Sequence, residues 1–255
     1  MENGGPLLDI REVVKTFGGI RAVDGATLSV RKQSITGLIG PNGAGKTTLF
    51  NLITGIYTTE EGDIHFDGNR IDQLLPHEVV AQGVVKTFQV PREFKNITVL
   101  ENLMLAAKGH EGEQFRRVFL SPKRVWGRET EVRERARSLL EFFELDSLAQ
   151  EFAKNLSGGQ KKLLELARAL MTDPILVMLD EPVAGVNRTL AAKLLDWIDE
   201  LRQKGLTFFI IEHDMDVVMS RCDTVIAMHQ GQVLAQGTPT EIKGNEEVIE
   251  TYLGT

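Results

Sequence analysis

Residues 34–50 run Ser34-Ile35-Thr36-Gly37-Leu38-Ile39-Gly40-Pro41-Asn42-Gly43-Ala44-Gly45-Lys46-Thr47-Thr48-Leu49-Phe50. A short apolar strand leads into a glycine-rich turn and then into the start of a helix, the order that a phosphate cradle requires. Glycines at 40, 43 and 45 let the backbone take positive φ and bring a ring of N–H groups close to an anion. The helix opening near Lys46 turns its positive dipole end towards the same point. Lys46 adds a mobile cation for the β and γ phosphates of a nucleotide. Thr47 offers a hydroxyl to Mg²⁺, which needs few protein ligands beside phosphate and water.

The chain has 255 residues, enough for one large domain or a core with a smaller insert. Hydrophobic content of 42% and charged content of 25% are ordinary for a globular protein. A formal charge of -7 argues against general nucleic-acid binding. The single cysteine, Cys222, excludes an internal disulfide and a cysteine-rich metal site, and is read as buried filler. Residues 1–6 are polar and glycine-rich, unlike a secretory leader. No apolar run approaches the roughly 20 residues that span a bilayer. Work at a membrane would therefore need another subunit to do the crossing.

Residues 7–17 and 26–30 read as strands around a Phe17-Gly18-Gly19 turn, and Gly62–Gly68 alternates like a half-buried strand. A helix follows from Pro76 to Gln82, then a strand over 84–88. From 97 to 155 the character changes. Leu100, Leu103, Met104 and Ala107 repeat at helical spacing, and a charged helix over 130–145 has an apolar face of Leu139, Leu140, Phe142 and Phe143. Residues 109–128 between them read as a solvated loop, with Arg116, Arg117, Lys123, Arg124 and Arg128 as the alternative makings of a contact with anionic lipid. Strand and helix then alternate over 175–180, 189–204, 206–212 and 215–221. A hairpin through Gln230-Gly231 and a terminal helix over 246–253 follow. Such alternation predicts a mainly parallel sheet with its ligand at the carboxyl ends of the strands.

Two further stretches carry chemistry. The apolar strand Ile175-Leu176-Val177-Met178-Leu179 ends in Asp180-Glu181. Carboxylates there are costly unless a cation or water meets them. Beside a phosphate site, Asp180 would hold Mg²⁺ and Glu181 would polarise the attacking water. Leu156-Ser157-Gly158-Gly159-Gln160 opens another helix, with Ser157 as its N-cap and two glycines leaving N–H groups uncovered for an anion.

With the lone Gln89 and a histidine at His213, these segments stand in the order found in ATP-binding subunits of ABC transporters, and the chain resembles that family over nearly its whole length. The resemblance implies an α/β fold: a P-loop NTPase core of the RecA-like type, an N-terminal antiparallel β subdomain and an inserted α-helical subdomain. Core and β subdomain would occupy 1–90 and 156–238, the helical subdomain 91–155 and a helical tail 239–255. It implies ATP and Mg²⁺ bound by Gly40, Pro41, Asn42, Gly43, Ala44, Gly45, Lys46, Thr47 and Thr48, with Phe17 stacked on adenine. Gln89 would sense Mg²⁺ and the attacking water, and His213 would contact the γ phosphate. Ser157, Gly158, Gly159 and Gln160 would cap ATP on the facing subunit of a head-to-tail dimer, made of two copies or of this chain and a paralogue. Transmembrane permease subunits, and indirectly a solute-binding protein, are the implied partners, at the cytoplasmic face of the cell membrane, with no role for nucleic acid.

Ile211-Glu212-His213-Asp214-Met215, the long helical insert and the ending Val248–Gly254 resemble the larger ATPase of branched-chain amino-acid importers. Lipopolysaccharide-export and urea or amide systems are the near alternatives, and a soluble ABC ATPase acting on nucleic acid or ribosomes a more distant one. Asn187 and Arg188 depart from the family's usual loop after the catalytic acid, which puts signalling across the dimer through that loop in question.

Overall fold

The computed structural model describes residues 5–87, 92–108 and 122–253. Two compact units divide the chain. One comprises Met1–Gln89, Ile175–Ala184 and Leu195–Thr255, the other Val90–Pro174 and Gly185–Leu194.

In the first unit, β1 (Leu8–Phe17), β2 (Ile20–Val30), β4 (Glu61–Phe66) and β5 (Asn69–Arg70) form an antiparallel sheet in the order β2-β1-β4-β5. The second sheet has β3 (Ile35–Ile39), β6 (Val84–Lys86), β7 (Leu176–Asp180), β8 (Thr207–Ile211), β9 (Thr224–His229) and β10 (Gln232–Gly237), in the order β10-β9-β3-β8-β7-β6. All its pairings are parallel except the closing β9–β10 hairpin. Gln230 and Gly231 turn that hairpin, both at positive φ. Strands β3, β7 and β8 are buried at every position, as strands covered on both faces must be. The helices α1 (Lys46–Ile53) and α2 (Pro76–Gln82) also belong here. One apolar core joins the two sheets to α1, with the rings of Phe50 and Phe209 tilted 4.9 Å apart at its centre. Truncating either ring to alanine would cost about 3–5 kcal/mol.

β2 begins at Ile20, not at residue 26 as its apolar pattern suggested. Register shifts against β1 and a positive φ at Gly25 break the alternation while the ladder continues. The chain closes with α7 (Met215–Arg221), a short helix α8 (Pro239–Lys243) that the apolar pattern does not reveal, and α9 (Glu246–Leu253). Cys222 is half-buried rather than fully buried, and burial pushes its thiol up to about 12.

The second unit holds α3 (Val99–Ala106), α4 (Pro122–Phe142) and α5 (Gly158–Leu170), with short 3-10 turns at Asp146–Leu148 and Ala153–Asn155 between α4 and α5, and its described residues contain only an isolated bridge, Thr98 to Phe152, in place of strands. α3 packs against both α4 and α5. The helix Gly158–Leu170 therefore falls with the helical unit, not with the core as the sequence-based division had it. α4 starts at Pro122, eight residues earlier than its apolar period suggests, so residues 122–128 are helix, not loop. Gly127 and a basic stretch hide that start. Helix α6 (Arg188–Gln203) contributes its first turns to this unit and the remainder to the other. Among the described residues, no helix is long and apolar enough to cross a membrane.

Candidate functional site

Three neighbouring strands of the parallel sheet deliver the candidate residues to one edge. Leu38 of β3 and Asp180 of β7 both pair with Ile211 of β8, so the chain leaves all three strands at one level. β3 runs into the glycine loop, β7 into Glu181 and β8 into Glu212-His213. A cavity of about 390 Å³ opens there, lined by the loop from Asn42 to Thr48, Glu181, Ile211, His213 and Ala22. This is the carboxyl-end crevice that a parallel sheet offers a ligand.

The loop glycines answer to distinct demands. A Cβ on Gly45, where φ is +100°, would lie 2.3 Å from the carbonyl oxygen of Ala22. One on Gly40 would lie 2.3 Å from that of Met228. Gly43 has φ +82° and open space beside it, so the loop is closed from behind and bare in front. Lys46 starts α1 at the end of the loop. Its side chain is buried, and Nζ donates to the carbonyl oxygens of Gly40 at 2.7 Å and Pro41 at 3.0 Å. Burial pushes its pKa down, with Glu181 and Asp180 opposing. The ammonium braces its own loop through these two carbonyls.

Asp180 is buried, and burial pushes its carboxyl above the usual range against the opposing pull of Lys86. Glu181 takes φ +52°, a left-handed conformation that costs a non-glycine residue about 1–3 kcal/mol. Its N–H donates to Ile211 O at 3.0 Å, and its Oε1 lies 2.8 Å from His213 Nε2. Once Glu181 is ionised, that contact needs the proton on Nε2. Glu212 is buried beneath them, accepting from the N–H groups of Val183, His213 and Asp214. Burial raises its pKa, and those three N–H groups oppose the rise. One carboxylate thus ties the turn after Glu181 to the turn bearing His213. Sequence reasoning missed both Glu212 and Lys86; for Glu212 the signal was a charge directly after the apolar run Phe208-Phe209-Ile210-Ile211.

Phe17 is 41% exposed and meets Tyr57 edge-on at 5.1 Å, with Lys15 Nζ 5.5 Å from its ring. It lies outside the lining of the cavity. Gln89 falls outside the described residues, as do Arg116 and Arg117.

In the helical unit, Ser157 caps α5 reciprocally: its Oγ accepts from Gln160 N–H, and Gln160 Oε1 accepts from Ser157 N–H. The two glycines part company. A Cβ on Gly159 would meet Leu190 Cδ2 at 2.4 Å, whereas Gly158 has nothing within 4 Å. At Gly159 the terminal methyl of Leu190 would have to turn aside, whereas the space beside Gly158 is open. Asn187 also serves the fold, because its Oδ1 accepts from Leu190 N–H at 2.9 Å and caps the helix that follows.

A glycine loop at the carboxyl end of β3, with a histidine from the adjacent β8 and an acid from β7 beyond it, defines a P-loop nucleotide-binding protein. Residues 23–184 match the family model described as ABC transporter, and residues 232–255 match that of the Branched-chain amino acid ATP-binding cassette transporter. The chain is 44% identical over 249 residues to the "Probable branched-chain amino acid transport ATP-binding protein LivG" of Archaeoglobus fulgidus, covering 97% of this chain and 95% of that protein. It is 41% identical to the "High-affinity branched-chain amino acid transport ATP-binding protein BraF" of Pseudomonas aeruginosa, over 98% of each. A solved nucleotide-free ATP-binding cassette from an ABC transporter superposes with a TM-score of 0.85 at 39% identity, covering 98% of this chain and all of that one. The chain belongs to the ABC transporter ATP-binding family, whose members are ATPases coupled to transport.

Proposed function

We propose that this chain hydrolyses Mg-ATP in a head-to-tail dimer to drive uptake of branched-chain amino acids through separate permease subunits at the cytoplasmic face of the membrane. The observation that carries the chemistry is the convergence of Lys46, Glu181 and His213 on one cavity lined by the glycine loop. The match of residues 232–255, together with the names of the relatives, supports the choice of solute.

In this reading the loop amides and Lys46 hold the β and γ phosphates, and Lys46 exchanges its two loop carbonyls for phosphate oxygens. Phe17, partly exposed beside Tyr57, stacks on adenine. Thr47 and Asp180 are hard oxygen donors suited to Mg²⁺, which supplies charge neutralisation at the phosphates. Glu181 is the base that orients water and takes its proton, positioned by its strained backbone and by His213. His213 contacts the γ phosphate, and Gln89 attends the metal and water. Ser157, Gly158, Gly159 and Gln160 cap the nucleotide of the facing subunit.

Glu181→Gln tests this directly. Turnover of Mg-ATP should fall by about 100-fold or more, while ATP stays bound and a dimer accumulates on sizing. Turnover at the parent rate would refute the role of Glu181. For the solute, the chain assembled with its permeases in vesicles should couple ATP hydrolysis to leucine, isoleucine or valine entry. Coupling to urea or another amide instead would overturn the choice.

A further inference from the structure

Lys86 ends β6, in parallel register with Met178 of β7, and its side chain is only 8% exposed. Its Nζ lies 3.0 Å from Asn51 Oδ1 and 3.5 Å from Asp180 Oδ2, and 5.8 Å from the centre of the Phe50 ring. Phe50 and Asn51 belong to α1, the helix that starts at Lys46. A buried ammonium is costly unless paired, and a methionine would fill the same space without that cost. The charge therefore calls for a reason, and the carboxylate within reach is the acid that ends β7.

We infer that Lys86 is a positioning residue for the metal: it holds Oδ2 of Asp180, balances the buried carboxylate before the cation arrives, and leaves Oδ1 to meet the ion or its water. Through Asn51 the same ammonium ties that acid to the helix carrying Thr47, so the two oxygen donors keep a fixed spacing. The inference rests on the reading of Asp180 and Thr47 as Mg²⁺ ligands. Neither residue makes it evident alone, because Lys86, Asn51 and Asp180 come from three distant parts of the chain.

The test is equilibrium binding of a fluorescent ATP analogue to the purified full-length chain, with Mg²⁺ and with EDTA, for the parent, Lys86→Met and Lys86→Arg. The parent should bind more tightly with Mg²⁺. Lys86→Met should match it within about twofold in EDTA but lose about tenfold or more of the gain from Mg²⁺, the usual scale for groups that orient metal ligands. Lys86→Arg should restore most of the gain. If Lys86→Met keeps the full gain, if it weakens binding equally with and without Mg²⁺, or if Lys86→Arg behaves like Lys86→Met, the inference fails. A parent with no Mg²⁺ gain would instead refute the metal site itself. Should Lys86→Met prove too unstable to titrate, thermal unfolding decides. The substitution should lower the melting temperature markedly in the parent and little in an Asp180→Asn background, whereas equal losses in both would overturn the pairing.

Discussion

Before α1, Gly45 sits at φ +100° with the carbonyl of Ala22 where a side chain would begin; at the start of α5, Gly158 has ordinary helical backbone and open space beside it. Both helix ends have bare N–H groups and a positive dipole end, so both suit an anion. Yet the first has its walls within its own unit, from Lys46 to Glu181 and His213. The second has satisfied its own cap through Ser157 and Gln160 and has open space beside Gly158. A glycine required by the fold and a glycine left bare look alike in sequence. The difference teaches that the first end is walled by side chains of its own unit, and that under the proposed cap on a facing subunit the second would use the open space at Gly158.

Substitutions can break that contrast. Gly45→Ala should have the largest effect, destabilising the protein by about 3 kcal/mol from strain and the clash with Ala22, and abolishing nucleotide binding in the same titration. A normal melting curve with normal binding would remove the distinction. Ser157→Ala should cost about 1 kcal/mol of stability through loss of the cap, read by chemical denaturation, without changing nucleotide affinity of the isolated chain. Gly158→Ala should leave stability unchanged or raise it by up to about 1 kcal/mol. In a Glu181→Gln background it should nevertheless weaken ATP-dependent dimer formation on sizing. Undiminished dimerisation would mean that the open space at Gly158 serves no partner.

Much of the site was legible because its members are short contiguous runs. The strand, glycine loop and helix over 34–50 reveal the cradle, and the apolar strand before Asp180-Glu181 places two carboxylates at its end. What was not legible is tertiary. The three N–H groups on Glu212 come from two separate turns, and the partners of Lys86 stand 35 residues before it and on another strand. The brace between Lys46 and its own loop escaped notice because a lysine's sequence position does not say which of the acceptors within its reach it meets. At the level of the fold, bulges hid the beginning of β2 and Gly127 hid the beginning of α4, while capped or proline-led helices such as α2 and α7 were read at their true bounds. The short α8 carried a readable Thr238-Glu241 capping box, but its five residues are too few to show a period.

The central claim is that the loop ending in Lys46 grips a nucleotide's phosphates. Titration of ATP in Mg²⁺ buffer against the parent and Lys46→Ala, with folding checked by circular dichroism, tests it most directly. The account predicts saturable binding by the parent and an affinity at least about tenfold lower for the variant, as befits the loss of a buried charge-assisted contact. Equal affinity in two equally folded proteins would contradict it.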